Sequence, residues 1–163
     1  MNESYVQAAL MWWCLDVKNH FTVEPNTARI YNWEVDLLSV TKAGFTHEFE
    51  VKISKSDYRE DFKKVEKHRL LSGRSLKGPN YFWYATLAFD IEPPEYAGWI
   101  KITPGGDGTF QCVEMKPAPL LHRHKVNPAV VSKIAHLLAW SLKAMYLERH
   151  IEQPITRVPE IST

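Results

Sequence analysis

With 20 Lys and Arg against 19 Asp and Glu, the 163-residue chain has a formal net charge of +1, so any surface that attracts polyanions must be local. At 45% hydrophobic and 24% charged residues it has the composition of a soluble globular protein, long enough for one domain with a real core. Cys14 and Cys112 are too few for a disulfide framework and fit a reducing cytoplasm, residues 1–4 lack the basic region of a secretory signal, and no apolar stretch reaches membrane-spanning length.

Val6, Ala9, Leu10, Trp13, Leu15 and Val17 recur at helical spacing and predict a helix over 4–18, with Ser4 as its cap. Trp12 and Trp13 read as packing residues, and Glu3 as a carboxylate favoured by the helix dipole. Residues 20–23 are a short β-like run, and Glu24-Pro25-Asn26 predicts a turn.

The stretch 34–52 predicts a β-hairpin. Leu37, Leu38 and Val40 lead into a Lys42-Ala43-Gly44 turn, and Phe45, Phe49 and Val51 lead out, with Gly44 supplying the left-handed residue of a three-residue loop. That loop sets Asp36 across from Glu50 and Glu34 across from Lys52, so Glu34, Asp36, Glu48, Glu50 and Lys52 project from one face. A two-residue loop would scatter them, since one step of register exchanges the faces. Crowded carboxylates repel, and burying them unpaired is costly. A divalent cation relieves both penalties, and oxygen ligands from Asp36 and Glu50 suit Mg2+, with Mn2+ as a substitute. Lys52 then stands where an ammonium can hold an attacking water or neutralise charge on a phosphate. Glu34, placed to restrain Lys52, and Glu48, placed to extend the metal shell, are secondary candidates. The competing reading is a solvent-facing strand with a Glu34–Lys52 ion pair; the interleaved Trp33, Val35, Leu37, Leu38, Phe49 and Val51 argue for burial on both sides.

Ser54 and Asp57 have capping-box spacing and open a predicted helix that ends at Gly73, with Tyr58, Phe62 and Val65 as its core stripe. Asp57, Asp61, Lys64 and His68 follow on another face with Lys67 beside them, which is either a phosphate-contacting face or a solvated one. A basic loop over 73–79 leads to an apolar strand over 81–88, expected to pair in parallel after the crossover helix. Residues 92–98 form a proline-containing loop, and 99–103 with 109–116 a second hairpin. His122, Arg123, His124 and Lys125 lie in an irregular stretch that, with Cys112, matches no strong zinc spacing. Asn127 and Pro128 open a last helix whose stripe is Val131, Ile134, Leu138, Leu142 and Met145. The domain reads as 1–149, followed by a poorly ordered tail over 150–163.

Asp36, thirteen intervening residues and Glu50-Val51-Lys52 resemble the Asp…(Asp/Glu)-X-Lys signature of the PD-(D/E)XK nuclease superfamily. The continuation from Ser54 through Asp57-Tyr58-Arg59-Glu60-Asp61-Phe62-Lys63-Lys64 to Lys67-His68, together with 79–84, 94–98 and 118–122, is similar to the MmcB-like DNA-repair nucleases and related phage proteins. Val35 departs from the proline that would precede Asp36. The resemblance spans 20–146 and implies an α/β fold with a restriction-endonuclease-like core, a mixed β-sheet flanked by helices. It further implies Mg2+-dependent hydrolysis of DNA phosphodiester bonds in DNA repair, recombination or phage DNA processing. Asp36, Glu50 and Lys52 would be catalytic, with Asp36 and Glu50 holding the metal and Lys64, Lys67 and His68 binding DNA. The implied setting is the cytoplasm of a bacterial or phage-infected cell, without a membrane partner, the oligomeric state left open with a homodimer included. The alternative is a catalytically inactive nucleic-acid-binding or assembly module on the same scaffold.

Overall fold

The computed structural model describes residues 2–27, 30–106 and 108–150 and arranges them as a 6-stranded mixed sheet in the order β1-β2-β3-β4-β5-β6, flanked by helices. The strands are β1 (Thr22–Thr27), β2 (Val35–Val40), β3 (Thr46–Lys52), β4 (Tyr81–Leu87), β5 (Ala97–Pro104) and β6 (Phe110–Lys116). The helices are α1 (Glu3–Trp12), α2 (Lys55–Asp61), α3 (Val65–Ser72) and α4 (Pro128–His150). Pairing is antiparallel from β1 to β3, parallel from β3 to β5 and antiparallel again between β5 and β6. This is the expected α/β class. Among the described residues no helix is long and apolar enough to cross a membrane.

The turn at Gly44 sets the register of the central hairpin. Thr41 and Phe45 close the loop through the Thr41 N–H bond to the Phe45 carbonyl (2.8 Å), and the Gly44 N–H donates back to Thr41 (2.9 Å). Gly44 sits at φ +83°, a conformation that costs glycine least. Leu37 therefore pairs with Phe49, Leu38 with Glu48 and Val40 with Thr46, the register expected from the sequence. On its other side β3 sets Glu48 beside Phe82, Glu50 beside Tyr84 and Lys52 beside Thr86.

One face of the sheet is covered by α1 and the π turn that follows it, whose Val6, Ala9, Leu10 and Trp13 bury against Leu37, Phe49, Val51 and Trp83. Burying each large apolar side chain contributes roughly 1.5–3 kcal/mol. The other face packs Phe82 and Tyr84 under Leu71 of α3 and Leu121, and Leu38 and Val40 under Ile134 of α4. Glu48, Glu50 and Lys52 belong to this second face and are all buried.

Several local details differ from the sequence expectation. Asn2, not Ser4, caps α1, its side chain accepting the Tyr5 N–H (3.2 Å), and the helix passes into a π turn over Trp13–Val17. Glu24-Pro25-Asn26 is strand rather than turn, because β1 is an edge, where an N–H facing the open side has no ladder partner to lose. The single helix expected to reach Gly73 is two, α2 and α3, interrupted at residues 62–64. The carbonyl of Asp61, freed at that break, accepts the Lys64 N–H (2.9 Å) and the His68 Nε2–H (2.9 Å). The interruption turns the expected stripe outward: Phe62 and Val65 are exposed, and Asp61, Lys67 and Leu71 are buried in their place. On α4, Ile134 is buried but Leu142 and Met145 of the expected stripe are exposed. The expected C-terminal tail, from 151 on, lies outside the described residues.

Candidate functional site

Alternation along β3 aims Glu48, Glu50 and Lys52 at the α2–α3 segment, and that segment answers with charges. Lys52 Nζ lies 3.0 Å from Glu50 Oε1, 3.4 Å from Asp61 Oδ1 and 3.5 Å from Asp57 Oδ1. Lys64 Nζ reaches Glu50 Oε1 (2.6 Å) and Asp61 Oδ1 (3.0 Å), and Lys67 Nζ reaches Glu50 Oε2 (2.5 Å) and Glu48 Oε1 (2.7 Å). Both oxygens of Glu50 thus accept from ammonium groups. Glu48 also receives the Trp33 indole N–H (3.0 Å). Asp61 Oδ2 accepts from the Tyr84 hydroxyl (2.8 Å) and lies 3.2 Å from His68 Nε2.

Burial and charge compete at every position. Burial pushes the proton affinity of Glu48 up, with Lys67 opposing it. Burial also works against the lysine cations, yet Glu50 and Asp61 leave Lys52, and Glu48 and Glu50 leave Lys67, holding their protons more tightly than a free lysine. At Asp61 burial opposes ionisation, but the His68 bond and the Lys52 and Lys67 charges hold the carboxyl well below the usual carboxylate range.

Asp36 is the exception. It precedes Leu37 in the hairpin register and so falls on the face of Glu50; its Oδ2 accepts the Val51 N–H (2.7 Å), and among the described residues no ammonium forms an ion pair with it. Burial first, and the Glu50 charge second, push its pKa up to about 7, with Glu3 of α1 adding to the rise. Gln7 ties α1 to this strand, its Nε2 donating to the Asp36 carbonyl (2.9 Å) and to Asn26 Oδ1 (2.8 Å).

A cation between Asp36 and Glu50 would remove the repulsion that raises the Asp36 pKa. No group of three or more His, Cys, Asp or Glu among the described residues could hold a metal. Two carboxylates nonetheless fit Mg2+, which keeps most of its waters and is commonly held by one or two protein carboxylates plus substrate phosphate. Lys64 is the cation that would have to yield: its side chain is 50% exposed, against 5% for Lys52 and 3% for Lys67.

No protein-family model and no curated protein matches the chain. A solved structure of a protein of unknown function from Silicibacter pomeroyi is similar to it, with 16% identity and a TM-score of 0.55 over 88% of this chain and 89% of that one. The likeness is one of fold.

Asp36, Glu48, Glu50 and Lys52 share one face, as the hairpin register predicted, and Lys64 reaches Glu50 from the following segment. Four placements differ from the expectation. Glu34 is exposed ahead of β2, and Lys52 is restrained by Glu50, Asp61 and Asp57 instead. Lys67 is not part of an exposed basic face, because the break between α2 and α3 turns it inward onto Glu48 and Glu50. His68 is likewise clamped, with Nδ1 2.8 Å from the Tyr96 hydroxyl and Nε2–H on the Asp61 carbonyl. Glu48 has its oxygens held by Lys67 and Trp33 rather than open to a metal. Sequence reasoning assigned no role to Asp61, although its spacing from Asp57 and Lys64 was the available signal. Trp33 and Tyr84 read only as apolar strand residues.

Proposed function

We propose that the chain is a divalent-metal-dependent nuclease that hydrolyses DNA phosphodiester bonds, acting in DNA repair, recombination or phage DNA processing in the cytoplasm. The observation that carries this reading is the Asp36 carboxyl, half-buried beside Glu50 without an ion-pair partner among the described residues and pushed up to about 7. A divalent ion held by Asp36 and Glu50 would supply Lewis acidity toward a phosphate oxygen and acidify bound water. Lys52 is already fixed by Glu50 and Asp61, so its ammonium can stabilise charge developing on the phosphate without being reorganised in the reaction. Asp61 is itself held by Tyr84 and His68, which makes these positioning residues for Lys52. Lys64, on leaving Glu50, joins the exposed Lys63, Arg69 and Arg74 as a phosphate contact.

A second reading, an inactive nucleic-acid-binding or assembly module, is favoured by one observation: the ammonium groups of Lys52, Lys64 and Lys67 all reach Glu50 and compensate its charge. Cleavage assays separate the two. Wild type should cut linear, nicked, branched or single-stranded DNA with Mg2+ or Mn2+. Lys52→Ala, shown folded by circular dichroism, should lose about a hundredfold in rate, roughly 3 kcal/mol, at DNA affinity within a few-fold. Wild type that binds DNA, cuts none of these substrates and shows no calorimetric heat with either ion would establish the second reading.

A further inference from the structure

Beside the charged cluster, α3 and the segment preceding β2 enclose a pocket of about 570 Å3, within the size range of small-ligand sites. Its apolar walls are Trp33, Val65 and Leu70. Its basic side chains are Lys63, Lys64, Lys67, Arg69 and Lys77: Lys64 and Lys67 are drawn onto Glu50, while Lys63 and Arg69 pair with the exposed carboxylates Glu60 and Glu66 and are themselves 76% and 67% exposed. Val65 is 70% exposed there, an unusual placement for a branched apolar residue opening a helix. Trp33 is held rigidly: its indole stacks on Tyr31 (centroids 5.3 Å apart, planes at 21°), and its N–H is anchored on Glu48.

We propose that this pocket receives an unpaired nucleobase of the DNA strand whose phosphate lies at Asp36 and Glu50, so that the preferred substrate is single-stranded or frayed DNA. The inference rests on the DNA reading above and adds the substrate class. Three features converge on it. A flat apolar wall that includes a fixed indole suits the face of a base, which stacks whatever its sequence. Lys77, and Lys63 and Arg69 whose exposed ion pairs contribute little, can turn to the phosphates on either side of that base. Finally, Lys64 and Lys67 line the pocket and end on Glu50, so the pocket and the candidate metal site are one lysine side chain apart. A base stacked inside a duplex could not enter without being pulled from its partner, which an unpaired base need not do. An apolar peptide would use the walls but offer Lys63, Arg69 and Lys77 no anion.

The test is fluorescence anisotropy on the full chain with a chelator present, so that no cleavage occurs. The probes are a labelled single strand, a wholly abasic sugar–phosphate chain of the same length, and a blunt duplex. The single strand should bind roughly tenfold or more tighter than the abasic chain, the scale of one base–aromatic contact, and tighter than the duplex. Trp33→Leu should collapse the preference for bases while leaving abasic-chain affinity within about twofold, since the phosphate contacts remain. Equal affinity of wild type for the normal and abasic strands, or a preference for duplex, overturns the inference and leaves the nuclease reading standing. Should Trp33→Leu fail to fold, the wild-type comparison decides alone. If none of the three probes binds, the DNA reading itself falls and takes this inference with it.

Discussion

Replacing Lys67 by Met tests whether the site is an interlocked buried network or a solvated charged face. The Lys67 side chain is 3% exposed and its ammonium serves Glu48 at 2.7 Å and Glu50 at 2.5 Å. Met keeps much of the stem volume and removes the charge. Glu50 retains Lys52 and Lys64, but Glu48, fully buried, is left with the Trp33 N–H alone. Removing one partner of a buried ion pair costs about 3–5 kcal/mol. For a chain of this size 1 kcal/mol moves the melting temperature by about 2–4 °C, so the expected fall is roughly 6–20 °C. The loss must also depend on pH in one direction. Burial already raises the Glu48 proton affinity, and losing Lys67 raises it further. A carboxyl whose folded pKa exceeds its unfolded value binds more protons in the folded state, so stability falls as pH rises from about 4.3 toward the folded value. Melting by circular dichroism at pH 5 and pH 8 should therefore show the variant closer to wild type at pH 5. A variant melting within about 2 °C of wild type at both pH values would refute the network and return Lys67 to the surface.

Two further measurements probe the opposite face of the sheet. His47 accepts the Trp83 indole N–H (3.0 Å) and stacks on Tyr81, and burial, with the His20 and Lys18 charges, pushes its pKa down to about 3. Its unfolded value is higher, so the unfolded state binds the extra proton and stability is lost as pH falls below about 6.5; at pH 5 His47 should account for up to about 2 kcal/mol by urea titration, most of which His47→Gln recovers. Because the raised Asp36 pKa acts in the opposite sense over this range, the comparison is with the variant: a His47→Gln protein whose stability changes between pH 7 and pH 5 as much as that of wild type would contradict this. At Gly98 an added Cβ would collide with the Trp83 ring and the Ala118 backbone nitrogen, so Gly98→Ala should cost about 1–3 kcal/mol in the same titration, and a neutral result would mean that the strand yields there.

Much of this protein was legible in its residue order because the signals were local. The three-residue loop ending in Gly44 fixed the β2–β3 pairing, and with it the common face of Asp36, Glu48, Glu50 and Lys52, since register and alternation follow from backbone geometry alone. Ser54 capped its helix, the Asp57 N–H donating to the Ser54 hydroxyl (3.1 Å), for the same reason. Charge, by contrast, says nothing about depth. Lys64 and Lys67 are the same residue type three positions apart, and only the interruption between α2 and α3 leaves one half exposed and buries the other between two carboxylates. Periodicity extended through that interruption misassigned Phe62 and Val65 to the core and Lys67 to solvent. The break depends on Asp61, whose carbonyl and carboxylate are satisfied by Lys64, His68, Tyr84 and Lys52, partners that include a strand residue 23 positions away in sequence. Which carboxylates find cations, and which, like Asp36, are left with a raised proton affinity, was decided by packing between elements, where long-range electrostatics outweigh local propensity.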